Sequence, residues 1–169
     1  MRTALFLFAA LSDGDVGWLA RAGTVLQFAA REPLIRQGES PGGLLIVLSG
    51  SVRVETDAGS VIAVRRVGEC VGEVSLVDTR PASSSVVAAE PTSALLLANT
   101  ILRTRIDADI GFAARCYRGL AILLANRLRE ATSGAADDAT MLDDTLMDAM
   151  ARAGERFQLL TEYVGGRVS

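Results

Sequence analysis

The stretch VGECVGEVSLVDTRPASSSV, from Val67 to Val86, decides how this chain is interpreted. Gly72 has no side chain, so the backbone there can approach a ligand closely. Residues Glu73 to Val77 can form one helical turn, and the free N–H groups at the start of such a turn can face an anion. The stretch therefore predicts an anion-binding turn.

Short β-like runs lie on both sides of this turn. They are separated by turn signals at residues 37–43, 49–51 and 57–60. Short strands at this spacing are typical of an antiparallel barrel or sandwich. The runs are residues 25–28, 34–35, 44–48, 52–56, 61–64, 86–88 and 93–97.

Helical segments flank the β-rich region. Residues 12–15 supply N-cap candidates for a short helix that ends near Gly23. After Asn99 the pattern is helical, and Asp107 or Asp109 can cap a long helix with a wide apolar face. The expected fold class is α+β, mainly β: an antiparallel β-barrel or jelly roll flanked by a short N-terminal helix and long C-terminal helices.

The chain is expected to divide into two parts. Residues 1–131 form one domain, with the barrel at about 24–100 and the following helices at about 101–131. Residues 132–169 begin with a helix break at 132–136 and continue as a last helix from about Thr140 to Val164. Its apolar residues recur at steps of three and four, as in a coiled coil, so this seam can form a homodimer or fold back on its own barrel. The seam consists of Leu142, Leu146, Met150 (or Ala149), Ala153, Phe157, Leu160 and Val164.

The first residues faintly resemble a signal peptide, because Arg2 precedes an apolar run at residues 4–11. That run is short, and no clear cleavage site of small residues follows it. We interpret it as an apolar helical turn that docks on the core. Because no apolar stretch reaches the length of a membrane-spanning helix, we expect a cytoplasmic protein.

The stretch from Val67 to Val86 resembles the phosphate-binding cassette of the cyclic-nucleotide-binding domain family, which includes bacterial catabolite activator proteins and kinase regulatory subunits. Residues 34–39 resemble the family's strand that leads into a glycine turn, and residues 45–52 resemble its glycine-centred strand pair. The helix around residues 112–115 resembles the helices that follow the family's barrel. The resemblance covers roughly residues 5–130.

The resemblance implies roles for the cassette residues. Glu73, after Gly72, would accept a hydrogen bond from a ribose 2′-hydroxyl. The backbone amides near Val74 and Ser75 would meet the cyclic phosphate, and Ser83 would add a hydroxyl. The implied ligand is cyclic AMP or cyclic GMP.

Ala82 departs from the family's pattern, because the family has an arginine after the proline that corresponds to Pro81. A charge-assisted hydrogen bond contributes about 1.5–3 kcal/mol, so its loss weakens phosphate binding by roughly tenfold to more than a hundredfold. Arg80 lies two residues before Ala82 and shares a face with it in an extended segment, so it can reach the same anion. The alternative is that Arg80 lies in a loop and faces water.

Other positions also keep structural alternatives. Glu73 can cap the helical turn through its charge, and Gly72 can serve only a tight turn. Residues 83–85 can be ordinary polar residues at a strand edge. Arg65 and Arg66 are neighbours that point to opposite faces of a strand, so we interpret them as solvated surface and not as a phosphate site.

The composition excludes most enzyme chemistry. The 169 residues carry a net charge of −3, with no histidine and with arginine as all 17 basic residues. Without histidine, the usual general base and the commonest metal ligand are missing, so metal-dependent cupins are excluded. Cys70 and Cys116 match no metal spacing and are expected to be buried free thiols. We therefore expect neither an enzyme nor a metal site.

Two functions fit these features. The first is a sensor that binds a nucleotide or another small anion and relays it through the C-terminal helices to a homodimer or a protein partner. The second is a degenerate family member that binds no cyclic nucleotide and serves as a dimerisation or protein-interaction module. Residues 132–169 carry three arginines and seven carboxylates, and this negative net charge opposes contact with DNA phosphates. Their pattern predicts a single helix with no turn leading to a recognition helix, so DNA binding is not expected.

Overall fold

The computed structural model describes residues 6–132 and 144–168. Its strands form two antiparallel sheets of four strands, with orders β1-β8-β3-β6 and β2-β7-β4-β5. The strands are β1 Thr24–Phe28, β2 Pro33–Ile35, β3 Gly43–Ser49, β4 Ser51–Glu55, β5 Val61–Arg66, β6 Cys70–Val71, β7 Ser85–Ala88 and β8 Thr92–Ala98. The helices are α1 Phe6–Ala10, α2 Asp13–Ala22, α3 Val74–Val77, α4 Asn99–Ala108, α5 Ile110–Thr132 and α6 Asp144–Val168.

The predicted fold class is confirmed: a roll of two antiparallel sheets carries short helices before it and long helices after it. The seven predicted β-like runs correspond to β1–β5, β7 and β8. Of the two candidate caps for the long helix, Asp109 is the one used, since its Oδ1 accepts a 2.9 Å hydrogen bond from the N–H of Phe112. Strand β6 was not predicted, because it has only two residues.

Two apolar clusters hold the fold together. One lies between the sheet containing β3 and the helices, and the other joins the two sheets. The first includes Phe8, Leu19, Ile46, Leu95, Phe112 and Leu160, and the second includes Ile35, Leu45, Val47, Val52 and Val86.

The two N-terminal helices, α1 and α2, both contact α5. The docking expected for the apolar N-terminal turn is confirmed, because Phe6, Leu7 and Phe8 of α1 are buried. A Cβ added to Gly119 of α5 would lie 3.1 Å from the carbonyl oxygen of Leu7, so the two helices approach closely. In α2, the buried carboxylate of Asp15 accepts two hydrogen bonds, of 2.6 and 2.9 Å, from Arg115 of α5.

Helix α6 folds back on its own chain, where its most extensive contacts are with α1 and α2. Ala153, Leu160 and Val164 of the predicted seam are buried in this contact. Arg156 adds hydrogen bonds to this contact: it donates to the carbonyl oxygens of Phe8 and Ala9 in α1 and, at the exposed edge, to Asp13 at 2.9 Å. From Ala153 onward the seam is therefore largely covered within one chain. Residues 133–143, with Thr140 and Leu142, lie outside the described residues.

Two smaller expectations concern the thiols and the membrane. Cys70 and Cys116 are buried and free, as predicted. Within residues 6–132 and 144–168, no helix combines the length and the apolar composition that crossing a bilayer requires.

Candidate functional site

A cavity of about 440 Å³ lies beside α3, and its walls come from both sheets, from residues 78–86 and from α5. This volume lies within the range of small-molecule sites, roughly 300–1,000 Å³. The structure brings together at its wall all seven residues proposed from the sequence: Gly72, Glu73, Val74, Ser75, Arg80, Ala82 and Ser83. Their roles toward a ligand stay predictions.

Gly72 is required by a close approach within the protein. Its φ is +80°, a left-handed conformation that favours glycine. A Cβ at this position would lie 2.4 Å from the carbonyl oxygen of Gly43 in β3. Gly72 therefore lets the backbone that follows β6 pass close to the start of β3.

Glu73 has a partner that was not predicted. Its side chain is buried and makes no capping hydrogen bond to α3. Instead its carboxylate is ion-paired with the guanidinium of Arg127 from α5, which also donates to the carbonyl oxygen of Cys70. Arg127 follows the buried Leu123 by four positions, so a charged residue continuing the apolar face of a helix was the available signal.

The electrostatics at this pair keep the neighbouring thiol inert. Burial raises the pKa of Cys70 to about 12, and the negative charge of Glu73 adds to the increase. For Arg127, burial is the largest single effect and opposes the charged form, but the charges of Glu73 and Glu69 and the hydrogen bond to Glu73 act together against it, and the pKa is raised. The site therefore contains a buried ion pair beside a neutral thiol, not an activated nucleophile.

Ser75 stabilises the turn from inside the protein. Its Oγ donates to the carbonyl oxygen of Gly72 at 2.6 Å and accepts a 3.0 Å hydrogen bond from Nδ2 of Asn99. Arg103 of α4 donates to the Ser75 carbonyl oxygen at 3.1 Å. The hydroxyl of Ser75 thus anchors α3 to α4. Asn99 and Arg103 were not predicted as part of this region, because their partners lie more than 20 positions away in the sequence.

Arg80 points into water in this structure. Its side chain is 85 % exposed and its Nε donates to Asp78 at 2.7 Å, so the hydrogen bond from Arg80 lowers the pKa of Asp78. Ala82 is half-buried, and its backbone is held by hydrogen bonds to Gly38 and Glu39. Ser83 is exposed at the rim of the cavity.

The interpretation of Arg65 as solvated surface was wrong, whereas Arg66 is exposed as expected. The side chain of Arg65 is only 13 % exposed, lines the cavity and pairs with Glu69 and Glu130. The two arginines do lie on opposite faces of β5, as the alternation of side chains along a strand predicted. The face that carries Arg65 lines the cavity, whereas the face that carries Arg66 is exposed to solvent. In the described ranges, no cluster of acidic or thiol side chains could hold a metal ion.

These features define a class of protein: a two-sheet roll with a ligand-sized cavity at a short helical turn and a long helix tied to its wall. Residues 25–109 match the family model described as Cyclic nucleotide-binding domain. The chain belongs to the cyclic nucleotide-binding domain family.

Similar proteins agree with this assignment. The chain is 38 % identical over 104 residues to the Cyclic AMP receptor protein of Thermus thermophilus, a match that covers 59 % of this chain and 46 % of that protein. It therefore spans less than half of the receptor's length. The fold resembles a cyclic nucleotide-binding domain from Methylobacillus flagellatus, with a TM-score of 0.70, 22 % identity and coverage of 82 % of this chain and 85 % of that one.

A second similar structure bears on the expectation that the protein does not contact DNA. It is the N-terminal domain of a transcriptional regulator from Streptomyces coelicolor, with a TM-score of 0.63, 25 % identity and coverage of 80 % of this chain and 99 % of that one. The expectation that the protein does not contact DNA finds no support among such relatives.

Proposed function

We propose that this chain is a non-enzymatic regulatory domain in which a small molecule in the cassette cavity changes the position of α5. The observation that carries the proposal is the ion pair between Glu73 on the cavity wall and Arg127 on α5. A ligand that bonds Glu73 competes with Arg127 for the same carboxylate. Ligand binding and helix position are then linked, because the ligand favours the arrangement in which it binds better.

Helix α5 can pass such a change to the rest of the helical layer. It is joined to α2 by Arg115 and Asp15, and it touches α1 at Gly119 and Leu7. Helix α6 packs on both of these N-terminal helices. A shift of α5 therefore alters the contacts of three other helices.

A second copy of the chain is the proposed recipient of this change. The face of α5 opposite its buried side carries apolar residues at steps of four and three, the spacing of a coiled-coil seam. Ile110, Tyr117 and Leu128 on this face are 86 %, 43 % and 65 % exposed. The full seam consists of Ile110, Ala114, Tyr117, Ala121, Leu124 and Leu128. We therefore assign the proposed homodimer to α5, since Ala153, Leu160 and Val164 of the α6 seam are already buried within one chain.

The alternative is a family member that binds no cyclic nucleotide and acts as a dimerisation or protein-interaction module. Ala82 supports it, because no arginine follows Pro81 in the cassette. A cytoplasmic location, expected from the sequence, stays a prediction.

The chain contains a reporter that tests the relay. Trp18 is its one tryptophan, and its ring packs edge-on against Phe112 at the start of α5, with centroids 5.3 Å apart. We would titrate the full chain with cyclic AMP and cyclic GMP. Titration calorimetry measures binding, and the fluorescence emission of Trp18 reports a change in the position of α5. The same titrations on Ala82→Arg test a cavity with its phosphate partner restored.

The expected result is that a ligand that binds also changes Trp18 emission. In Arg127→Met this change is expected to be lost, whereas Arg129→Met, a matched change at an exposed position of the same helix, keeps it. Binding without any emission change in the unaltered chain would contradict the relay. Absence of binding in both the unaltered chain and Ala82→Arg would favour the alternative.

A further inference from the structure

We propose that the cavity takes an uncharged, largely apolar small molecule and not a phosphate ester. This inference rests on the proposed function, in that it treats the cassette cavity as the sensing site. It concerns the chemical class of the ligand and follows from three features of the wall.

The first feature is that every arginine on the described wall already has a carboxylate partner. Arg127 is paired with Glu73, and Arg80 with Asp78. Arg65 is paired with both Glu69 and Glu130. A phosphate entering the cavity would lose water without gaining a cation, which is costly for a charged group.

The second feature is that two of these carboxylates lie on the wall themselves. Glu73 and Asp78 both line the cavity, and their side chains are 7 % and 27 % exposed. If Arg80 turned inward to meet a phosphate, it would leave the Asp78 carboxylate beside the same anion. Repulsion between like charges in a partly dehydrated site offsets the new pairing.

The third feature is the apolar character of the remaining wall. It is formed largely by aliphatic side chains from both sheets and α3, and Ala82 adds a methyl group where the cassette has no cation. Ser83 and Ser84 at the rim can orient a ligand hydroxyl, and Glu73 can accept a hydrogen bond from one. A wall of aliphatic side chains, with hydroxyl groups and charges that are already paired with each other, suits an uncharged ligand. The aliphatic lining residues are Ile35, Val54, Ile62, Val71, Val74 and Val86.

Two matched pairs of probes test this on the full chain by titration calorimetry. Adenosine is compared with cyclic AMP, and 2-naphthol is compared with 2-naphthyl phosphate. In each pair that binds, the uncharged member is expected to bind at least about tenfold more tightly, since the phosphate lacks a charge-assisted partner. Ala82→Arg is expected to shift the preference toward the phosphate, whereas Ala82→Leu, which adds bulk without charge, is not.

The inference is overturned if cyclic AMP binds the unaltered chain more tightly than adenosine does. It is also overturned if neither uncharged probe binds at about 1 mM. These failures differ from failure of the proposed function. Cyclic AMP that binds and changes Trp18 emission overturns the inference but supports the relay. An uncharged probe that binds more tightly than its phosphate, without changing Trp18 emission, supports the inference but contradicts the relay.

Discussion

The carboxylate of Glu73 is ion-paired with the guanidinium of Arg127, which lies 54 positions later in the chain. Only 7 % and 14 % of these two side chains are exposed. Removing one partner of a buried pair leaves the other charge without compensation, whereas removing both costs less. This relationship makes the free energy of unfolding a direct test of the coupling between the cavity and α5.

We expect Glu73→Gln and Arg127→Met each to lower the free energy of unfolding by about 3 kcal/mol. The double variant is expected to lose clearly less than the sum of the two, because neither charge is then left alone. Urea unfolding of the four proteins measures the coupling. Additive losses would mean that the two side chains do not form a coupled pair in solution.

Gly72→Ala is expected to be more damaging than Gly59→Ala, although both glycines have φ near +80°. The two changes share the backbone cost of a left-handed alanine, about 1–2 kcal/mol. At Gly59 no atom lies within 4 Å of the added Cβ, whereas at Gly72 the Gly43 carbonyl oxygen would lie 2.4 Å away. Thermal unfolding of the two variants measures the difference, and equal losses would show that the close approach to β3 is absent.

The contribution of Asp15 to stability is expected to fall in acid. Burial alone would raise the pKa of its carboxyl, but hydrogen bonds from Arg115 and Ser12 outweigh it, and the pKa is lowered from 3.8 to about 2. A lowered pKa stabilises the folded state above pH 4, and this stabilisation is lost as the pH falls from about 4 toward 2. Arg115 is 39 % exposed, so solvent screens its interaction with Asp15. We therefore expect the ionised carboxylate of Asp15 to contribute about 1 kcal/mol to the free energy of unfolding.

The measurement is the free energy of unfolding of the unaltered chain and Asp15→Asn between pH 6 and pH 2.5. The difference between them is expected to narrow in acid. Asp13→Asn is the control, since it removes a 75 % exposed carboxylate from the same helix and is expected to change stability by less than about 0.5 kcal/mol. A difference independent of pH would contradict the prediction.

If the exposed seam of α5 forms the dimer, a charged residue in this seam should halve the molecular mass in solution without unfolding the chain. Leu128→Glu places a charge on the exposed seam of α5, so light scattering is expected to show a monomer that still melts cooperatively. Arg129→Glu introduces the same side chain at the next position, about 100° around the helix, and is expected to keep the dimer mass. Dimer mass in both variants would exclude this seam as the interface.

Helix α6 is expected to contribute to the stability of the whole domain. Leu160 is fully buried between α6 and the N-terminal helices, so Leu160→Ala is expected to lower the free energy of unfolding by about 2–4 kcal/mol. Gln158→Ala on the exposed side of the same helix serves as the comparison and is expected to change it by less than about 0.5 kcal/mol. Equal, small losses would mean that α6 does not pack as described.

The sequence predicted most of the roll because its elements are marked locally. Alternating apolar residues and glycine turns indicated seven strands, and the cassette stretch placed α3 at Glu73 to Val77. The sequence did not predict which of these elements contact one another. Arg127 meets Glu73, and α6 meets α1, through contacts between residues distant in the chain, which local patterns do not encode. The apolar seam of α6 indicated that something covers it, but not which surface does.

The packing of the last helix on the first has a consequence for synthesis. Arg156 and Asp13 are 143 positions apart, so the helical layer closes only after nearly the whole described chain has left the ribosome. Until then the apolar residues that α6 covers on α1 and α2, including Phe8 opposite Phe157, stay open to solvent. A chain arrested before α6 would expose an apolar surface that chaperones and other nascent chains can bind. The two sheets, whose pairings all lie between residues 24 and 98, can form well before that point.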